Sequence, residues 1–260
     1  MRSTSQLALL LVLLCACSGS GAPQPTRVAA AADLAGAFTE LARDFERDTG
    51  RKVVVTFGST GLLAKQISQG APFDLFAAAS ASFVDDVVQA GACDDKSRAL
   101  YGRGRLALFV RPDKLEAGAP GELAALLAPR FKRIAIANPE HAPYGRAARE
   151  ALLRAGIWQQ LRPRIVYAEN VRQALQLAET GNVEAALVAL SLLVAEPGPH
   201  WSPVAERLHT PLDQELVVCT RGKSPEGGRS FASYVGSKQG RTVMRRFGFL
   251  LPAEGLVRAP

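Results

Sequence analysis

"RVAAAADLAGAFTELARDFERDTGRKVVVTF" spans residues 27–57 and predicts a strand, a helix and a second strand in succession. After Arg27 the first strand is small and apolar, and residues 52–57 are rich in valine, as buried strands are. The segment between them ends at Gly50 and repeats apolar side chains at helical spacing, namely Leu34, Phe38, Leu41 and Phe45. A strand–helix–strand unit predicts two parallel strands with the helix packed on one face of the sheet.

The same alternation continues along the rest of the chain. Further strands are predicted at residues 73–79, 106–110, 133–138, 164–170, 184–190 and 215–220, with helical segments between most of them. We therefore expect an α/β fold of two lobes, each a mainly parallel sheet flanked by helices, with a ligand cleft between the lobes. The strands at 106–110 and 215–220 are predicted to be the places where the chain crosses between the two lobes. Lobe I should comprise residues 27–105 and 212–260, and lobe II residues 106–211.

The composition of the 260 residues argues against some classes of function. The formal net charge of +7 comes mainly from scattered arginines. No run of Lys and Arg is interleaved with aromatic residues, so we expect no binding to nucleic acid. A weak positive potential suits an anionic ligand. We expect a monomer that needs no cofactor.

The N-terminal residues predict export. An apolar stretch at residues 7–16 is too short to span a membrane as a helix. It leads into "LCAC", which resembles the processing site of bacterial lipoproteins, so residues 1–17 are interpreted as a lipoprotein signal peptide with Cys17 as the lipidated residue. A plain secretory signal is the alternative. Residues 18–26 would tether the folded body, in the periplasm or at the cell surface, to a bacterial membrane through the lipid alone.

Two further cysteines, Cys93 and Cys219, could form a disulfide bond in an oxidising compartment or remain as two buried thiols. The sequence does not fix the distance between them, so both alternatives stay open. The chain has no CxxC motif and no Cys/His cluster. We therefore expect no metal ion bound directly by protein side chains.

Four strand-to-helix turns carry the candidate binding chemistry. In "NPEHAPYGRAAREAL" (138–152) a helix begins beside Tyr144 with no Ser, Thr, Asp or Asn cap next to it. Turns with small or hydroxyl-bearing residues also lie at 29–34, 56–63 and 168–173. Ligands of open α/β sheets bind where helix N-termini point, so the free N–H groups of these turns predict an anion site. Tyr144, Ser59 and Thr60 would add O–H donors.

Taken in order, the segments AAAADL, FGSTGLLAKQI, GAPFDLF, NPEHAPYGRAAREAL and AENVRQAL resemble the periplasmic molybdate-binding proteins of ABC importers. The likeness covers nearly the whole mature chain. It implies a type II periplasmic-binding fold that closes over a tetrahedral oxyanion, molybdate or tungstate, and delivers it to an ABC transporter permease. The implied ligand-binding residues are Ala32, Asp33, Ser59, Thr60, Tyr144, Gly145, Asn170 and Val171.

Two positions depart from the family pattern. The first turn has Ala32 and Asp33 where the family commonly has a Ser, Thr or Asn donor, and Ala189 stands where some members have a tyrosine. A missing hydrogen bond to a charged ligand costs about 1.5–3 kcal/mol unless backbone or water replaces it. Tyr144 could compensate for the missing phenol.

Asp33 has two interpretations. The simpler one is an N-cap, whose carboxylate accepts hydrogen bonds from its own helix. In the other, Asp33 faces the ligand, where it would repel a dianion such as molybdate but could accept a proton from hydrogen phosphate. A binding protein for phosphate, sulfate or a small organic anion therefore remains an alternative function.

An exported α/β enzyme is the third hypothesis. Ser59 does not lie in a GxSxG nucleophile elbow and has no clear His or Asp partner in the sequence. No nucleophile or acid is spaced around His141, which is interpreted as an ordinary loop histidine. We therefore expect no enzymatic activity.

Overall fold

The computed structural model describes residues 24–115, 120–194 and 198–252. The predicted signal peptide with Cys17, most of the predicted tether and residues 253–260 of lobe I lie outside the described residues. None of the helices in these ranges combines the length and apolarity that crossing a membrane requires.

The described residues form ten strands and eight α-helices. The strands are β1 (Thr26–Ala31), β2 (Val53–Gly58), β3 (Leu75–Ala78), β4 (Cys93–Gly104), β5 (Leu106–Val110), β6 (Ile134–Ala137), β7 (Ile165–Ala168), β8 (Ala185–Ala189), β9 (Trp201–Pro203) and β10 (Leu212–Cys219). The helices are α1 (Ala35–Thr49), α2 (Thr60–Ser68), α3 (Ala81–Gln89), α4 (Pro143–Arg154), α5 (Trp158–Leu161), α6 (Val171–Glu179), α7 (Pro225–Gly236) and α8 (Lys238–Arg246). Short 3-10 turns join several of these elements.

The first sheet has the strand order β2-β1-β3-β10-β4. Strand β1 pairs in parallel with β2 and β3, because a crossover helix follows each of the first two strands. Strand β10 pairs antiparallel with both β3 and β4. It returns from the second sheet and therefore runs against the parallel strands.

The second sheet repeats this plan with the order β7-β6-β8-β5-β9. Strand β6 is parallel to β7 and β8, whereas β5 is antiparallel to β8 and β9. The predicted two-lobed α/β fold is confirmed, with sheets that are mixed because the crossing strands β5 and β10 run in the opposite sense. The exact lobe limits stay a prediction.

Alanine at the strand ends shapes the region between the sheets. The parallel strands β1, β3, β6 and β7 all finish in alanine, and β2 finishes in Gly58. Small side chains at these ends leave room for the following helix to begin close to the sheet. The carboxyl ends of the parallel strands are also the edge where α/β sheets bind ligands.

A disulfide bond joins Cys93 to Cys219 and settles the pairing that the sequence left open. The two residues are opposite each other where β4 pairs with β10. Strand β4 itself was not predicted, because its sequence CDDKSRALYGRG has neither an apolar run nor a regular alternation. Its position follows from pairing with β10.

Candidate functional site

The four predicted turns converge on one small cavity between the two sheets. Seven of the eight predicted ligand-binding residues line it, namely Ala32, Asp33, Ser59, Thr60, Tyr144, Asn170 and Val171. The cavity measures about 10 Å³, which is the volume of about one water-sized sphere. Helices α2, α4 and α6 all point their N-termini at it.

The turn before α2 contributes two hydroxyl groups. Ser59 and Thr60 are almost fully buried, and α2 has no side-chain cap. Thr60 Oγ1 accepts a long hydrogen bond of 3.4 Å from the N–H of Ala79, so its own proton is free to be donated. Ser59 Oγ instead donates to the carbonyl oxygen of His141 at 2.8 Å. Of the two hydroxyl groups, that of Thr60 is therefore better placed as a ligand donor.

His141 ties the two lobes together beside the cavity. Its Nδ1 lies 2.8 Å from Ser59 Oγ, and its carbonyl oxygen also accepts from the N–H of Gly61 at 2.9 Å. His141 lies in the loop between β6 and α4, as predicted, whereas the expectation that Ser59 lacks a histidine partner was wrong. No carboxylate of the described residues hydrogen-bonds His141. The pair thus lacks the third group that orients the base in a Ser–His–Asp triad.

Helix α4 begins without a side-chain cap, as predicted. The N–H groups of Tyr144 and Gly145 lie in its first turn, where a helix offers them no partner of its own. Gly145 does not line the cavity. A Cβ at this position would lie 2.1 Å from the carbonyl oxygen of Ala137, so glycine lets the helix start approach the end of β6.

The turn before α6 is capped, unlike the other turns. The side-chain oxygen of Asn170 accepts from the N–H groups of Arg172 and Gln173 at 3.1 and 3.0 Å. The prediction of several free donors in this turn was wrong for these two residues. The N–H of Val171, a residue that lines the cavity, is not among the donors that Asn170 caps.

Asp33 is not an N-cap, so the simpler interpretation of this residue was wrong. It lies in the 3-10 turn Ala32–Leu34, and no side chain caps this turn or α1. Its carboxylate oxygen Oδ2 accepts from Gln214 Nε2 at 2.6 Å and from the O–H of Tyr144 at 3.1 Å. The other oxygen, Oδ1, is buried and accepts no hydrogen bond from another described residue.

A buried side-chain network fixes this arrangement. Tyr101 donates to Gln214 Oε1 at 2.7 Å, which turns the amide nitrogen of Gln214 toward Asp33. Gly104 leaves space for the network, since a Cβ there would lie 2.0 Å from the phenol oxygen of Tyr144. Tyr101 and Gln214 were not among the predicted site residues. A glutamine beside an apolar strand was the one local signal.

Burial controls the ionisation of these groups. It raises the pKa of Asp33 to about 6, while hydrogen bonds from Gln214, Tyr144 and its own backbone N–H partly oppose that rise. Burial and the neighbouring Asp33 charge raise the pKa of both Tyr144 and Tyr101 well above the ordinary value. Both phenols therefore remain O–H donors at neutral pH.

The cavity offers neutral donors rather than cationic side chains. None of the described residues that line it is a lysine or an arginine. Positive potential comes from backbone N–H groups and helix N-termini. Within the described ranges, no group of three His, Cys, Asp or Glu side chains could hold a metal ion. A larger groove of about 560 Å³, lined in part by Gly36 and Phe247, includes neither the α2 nor the α4 start.

A sequence profile described as bacterial extracellular solute-binding protein matches residues 26–250. The chain belongs to this family. This chain is 32% identical over 228 residues to the molybdate-binding protein ModA of Azotobacter vinelandii, and the match covers 86% of this chain and 88% of the relative. It is 31% identical over 229 residues to ModA of Escherichia coli, again covering 86% and 88% of the two chains.

The structural comparison agrees with the sequence relatives. The solute-binding protein is similar to the Azotobacter vinelandii periplasmic molybdate-binding protein with a TM-score of 0.81 and 27% sequence identity. The match covers 87% of this chain and 99% of that chain. The family resemblance carried by the five sequence segments is confirmed.

Proposed function

We propose that this solute-binding protein captures molybdate or tungstate in the cavity between its lobes and delivers the ion to an ABC transporter permease. One observation carries the proposal: helix starts from both lobes meet at a cavity that, among the described residues, is lined by no lysine or arginine. Neutral N–H and O–H donors of this kind hold tetrahedral oxyanions without a full counter-charge. The relatives named as molybdate-binding proteins favour a group 6 oxyanion.

The proposed ligand contacts follow from which donors are free. Thr60 would donate through its hydroxyl group, and Tyr144 and Val171 through their N–H groups. Gly145 belongs to the proposed set as the residue that lets the start of α4 approach the end of β6. Ser59 can join them once its hydrogen bond to His141 opens. Ala32, Asp33 and Asn170 complete the proposed set as residues that shape the cavity or, for Asp33, face the ligand.

The size of the cavity favours an inorganic ion over an organic one. Pockets for organic ligands measure about 300–1,000 Å³, whereas this cavity measures about 10 Å³. Even a tetrahedral oxyanion requires the lobes to move apart before it can enter. We infer hinge opening and closure, with the contact between Ser59 and His141 breaking when the lobes open.

Asp33 favours a second candidate ligand, a protonated oxyanion such as hydrogen phosphate. Its buried Oδ1 lacks a donor from another residue and could accept the ligand O–H. A buried ligand O–H without an acceptor would cost free energy. Phosphate therefore belongs in any ligand screen.

The remaining assignments are part of the same proposal. Binding rather than catalysis is inferred because the relatives are named as binding proteins. We propose a monomer that is held at the membrane by a lipid on Cys17 and lies in the periplasm or at the cell surface. Mass spectrometry of the N-terminal peptide tests the lipid directly, since an unmodified Cys17 or cleavage elsewhere would reject it.

Calorimetric titration of the purified chain with molybdate, tungstate, sulfate and phosphate at about pH 6 tests the ligand. We expect tight binding of one molybdate or tungstate per chain and little response to sulfate. Sulfate is the smaller tetrahedron and would make poorer contacts with the same donors. Absence of binding by both group 6 oxyanions would reject the proposal, and tight binding of phosphate alone would establish the second candidate.

A further inference from the structure

Asp33 places an acidic group in a cavity built for an anion. The residue is 1% exposed and lines the cavity, and its Oδ1 accepts no hydrogen bond from another described residue. Both neighbouring donors, Gln214 and Tyr144, are directed at Oδ2. A proton on this carboxyl group is therefore placed on Oδ1, where it can be donated to a ligand.

The charge state of Asp33 decides whether it opposes or assists an oxyanion. Ionised, it would repel a dianion, and no lysine or arginine in the described part of the chain lines the cavity to offset that repulsion. Neutral, it would supply an O–H donor. The network favours the second role, because the amide of Gln214 is fixed by Tyr101 and keeps Oδ2 as the accepting oxygen.

Among the described residues, no other titratable or charged group hydrogen-bonds Asp33 Oδ1, and none adds a lysine or an arginine to the cavity lining. Tyr101 on β4 and Tyr144 on α4 stay protonated because burial raises the pKa of each phenol. His141 contacts Ser59, and Arg172 at the start of α6 lines the larger groove that Gly36 and Phe247 also line. On the paired strands β4 and β10, charged residues form ion pairs of their own, Arg103 with Asp213 and Arg98 with Glu215.

We propose that Asp33 makes this site bind an oxyanion together with one proton, which the carboxyl group shares with a ligand oxygen through Oδ1. The identity of the oxyanion rests on the proposed function, whereas the shared proton applies to any tetrahedral oxyanion in the cavity. When the ligand is fully ionised, as molybdate is, Asp33 takes up the shared proton from solvent. Hydrogen phosphate brings the proton with it.

The proposal sets the pH dependence of binding. The pKa of Asp33 is about 6, so at higher pH the free protein is mainly ionised at this position. Binding of a full dianion then requires proton uptake, and the affinity falls about tenfold for each pH unit above that pKa. Below it the carboxyl group is already neutral and the affinity is constant with pH.

Proton uptake can be counted by calorimetric titration of the full chain with molybdate at about pH 7.5 in buffers of different ionisation enthalpy. We expect close to one proton taken up per molybdate bound. Asp33→Asn keeps a neutral donor and should take up none, with an affinity that changes less than about twofold between pH 6.5 and 8. The exposed Asp86→Asn is the matched control and should behave as the wild type.

The outcomes separate this inference from the proposed function. Molybdate binding without proton uptake would overturn the shared proton and leave the molybdate assignment standing. If phosphate binds and molybdate does not, the molybdate assignment fails. In that case the shared proton is tested by the affinity of Asp33→Asn for phosphate. A loss of at least about tenfold supports the shared proton, and an unchanged affinity overturns it. Failure of both ions to bind rejects both ideas. If Asp33→Asn does not fold, the number of protons that the wild type takes up on binding decides whether the proton is shared.

Discussion

At the scale of single residues, the site depends on which polar atoms the fold has already paired. Ser59 and Asn170 look like ligand donors in the sequence. In the structure, however, the hydroxyl group of Ser59 is bonded to His141, and the side-chain amide of Asn170 caps α6. Thr60 retains a free hydroxyl proton. Asp33 is the opposite case, because its buried Oδ1 lacks a donor that its surroundings would normally provide.

Asp33→Asn should stabilise the ligand-free protein at high pH. Because folding raises the pKa of Asp33 from an ordinary 3.8 to about 6, the folded state binds more protons between these values. The stability due to the neutral carboxyl group is complete below about pH 4 and is lost as the pH rises through about 6, at a cost of about 3 kcal/mol. Urea unfolding at several pH values should show the variant more stable by up to that amount at about pH 8 and equal at about pH 4. If the variant and the wild type were equally stable at both pH values, the cost of burying an ionised Asp33 would be contradicted.

Thr60→Val should weaken oxyanion binding while keeping the shape of the side chain. The valine removes one O–H donor to a charged ligand, which costs about 1.5–3 kcal/mol, or about 10- to 150-fold in affinity. Titration with molybdate measures the loss. Thr56→Val, at an exposed position on β2, is the matched control and should bind as the wild type does. Equal affinity in both variants would remove Thr60 from the ligand set.

At the scale of elements, local pattern predicts the strands and helix starts well. The uncapped α4 and the carboxyl ends of the parallel strands could be placed from residues close together in the sequence. Strand β4 could not, because its irregular sequence becomes a strand only by pairing with β10. The Asp33 network was also out of reach, since Gln214 lies 181 residues from Asp33 and 113 from Tyr101. Its contacts depend on the tertiary fold.

The bond between β4 and β10 should contribute strongly to stability. Cys93 and Cys219 are 126 residues apart, so their disulfide closes a loop that includes the whole second sheet. Loss of a native disulfide typically costs about 2–5 kcal/mol. Urea unfolding should therefore shift to lower denaturant when a reductant is added. The double variant Cys93→Ser with Cys219→Ser should unfold at that lower urea concentration whether or not the reductant is present. If the reductant left the unfolding midpoint of the wild type unchanged, the expectation would be refuted.

At the scale of the whole molecule, neutral hydrogen bonds close the two lobes over the cavity. Ser59 and Gly61 contact the carbonyl oxygen of His141, and Ser191 Oγ donates to the carbonyl oxygen of Asp33 at 2.8 Å. A hydrogen bond of this kind contributes about 1 kcal/mol net. A few such bonds can be broken for the ion to enter, and donors from both lobes then favour closure around it.

Crystals of the protein grown with molybdate test the location of the ion most directly. An anomalous difference map recorded at the molybdenum absorption edge should show one strong peak in the cavity. That peak should lie within hydrogen-bonding reach of Thr60 Oγ1 and of the N–H groups of Tyr144 and Val171. A peak at another place, or no peak in protein that titration shows to be saturated, would contradict an oxyanion site formed by helix starts from both lobes.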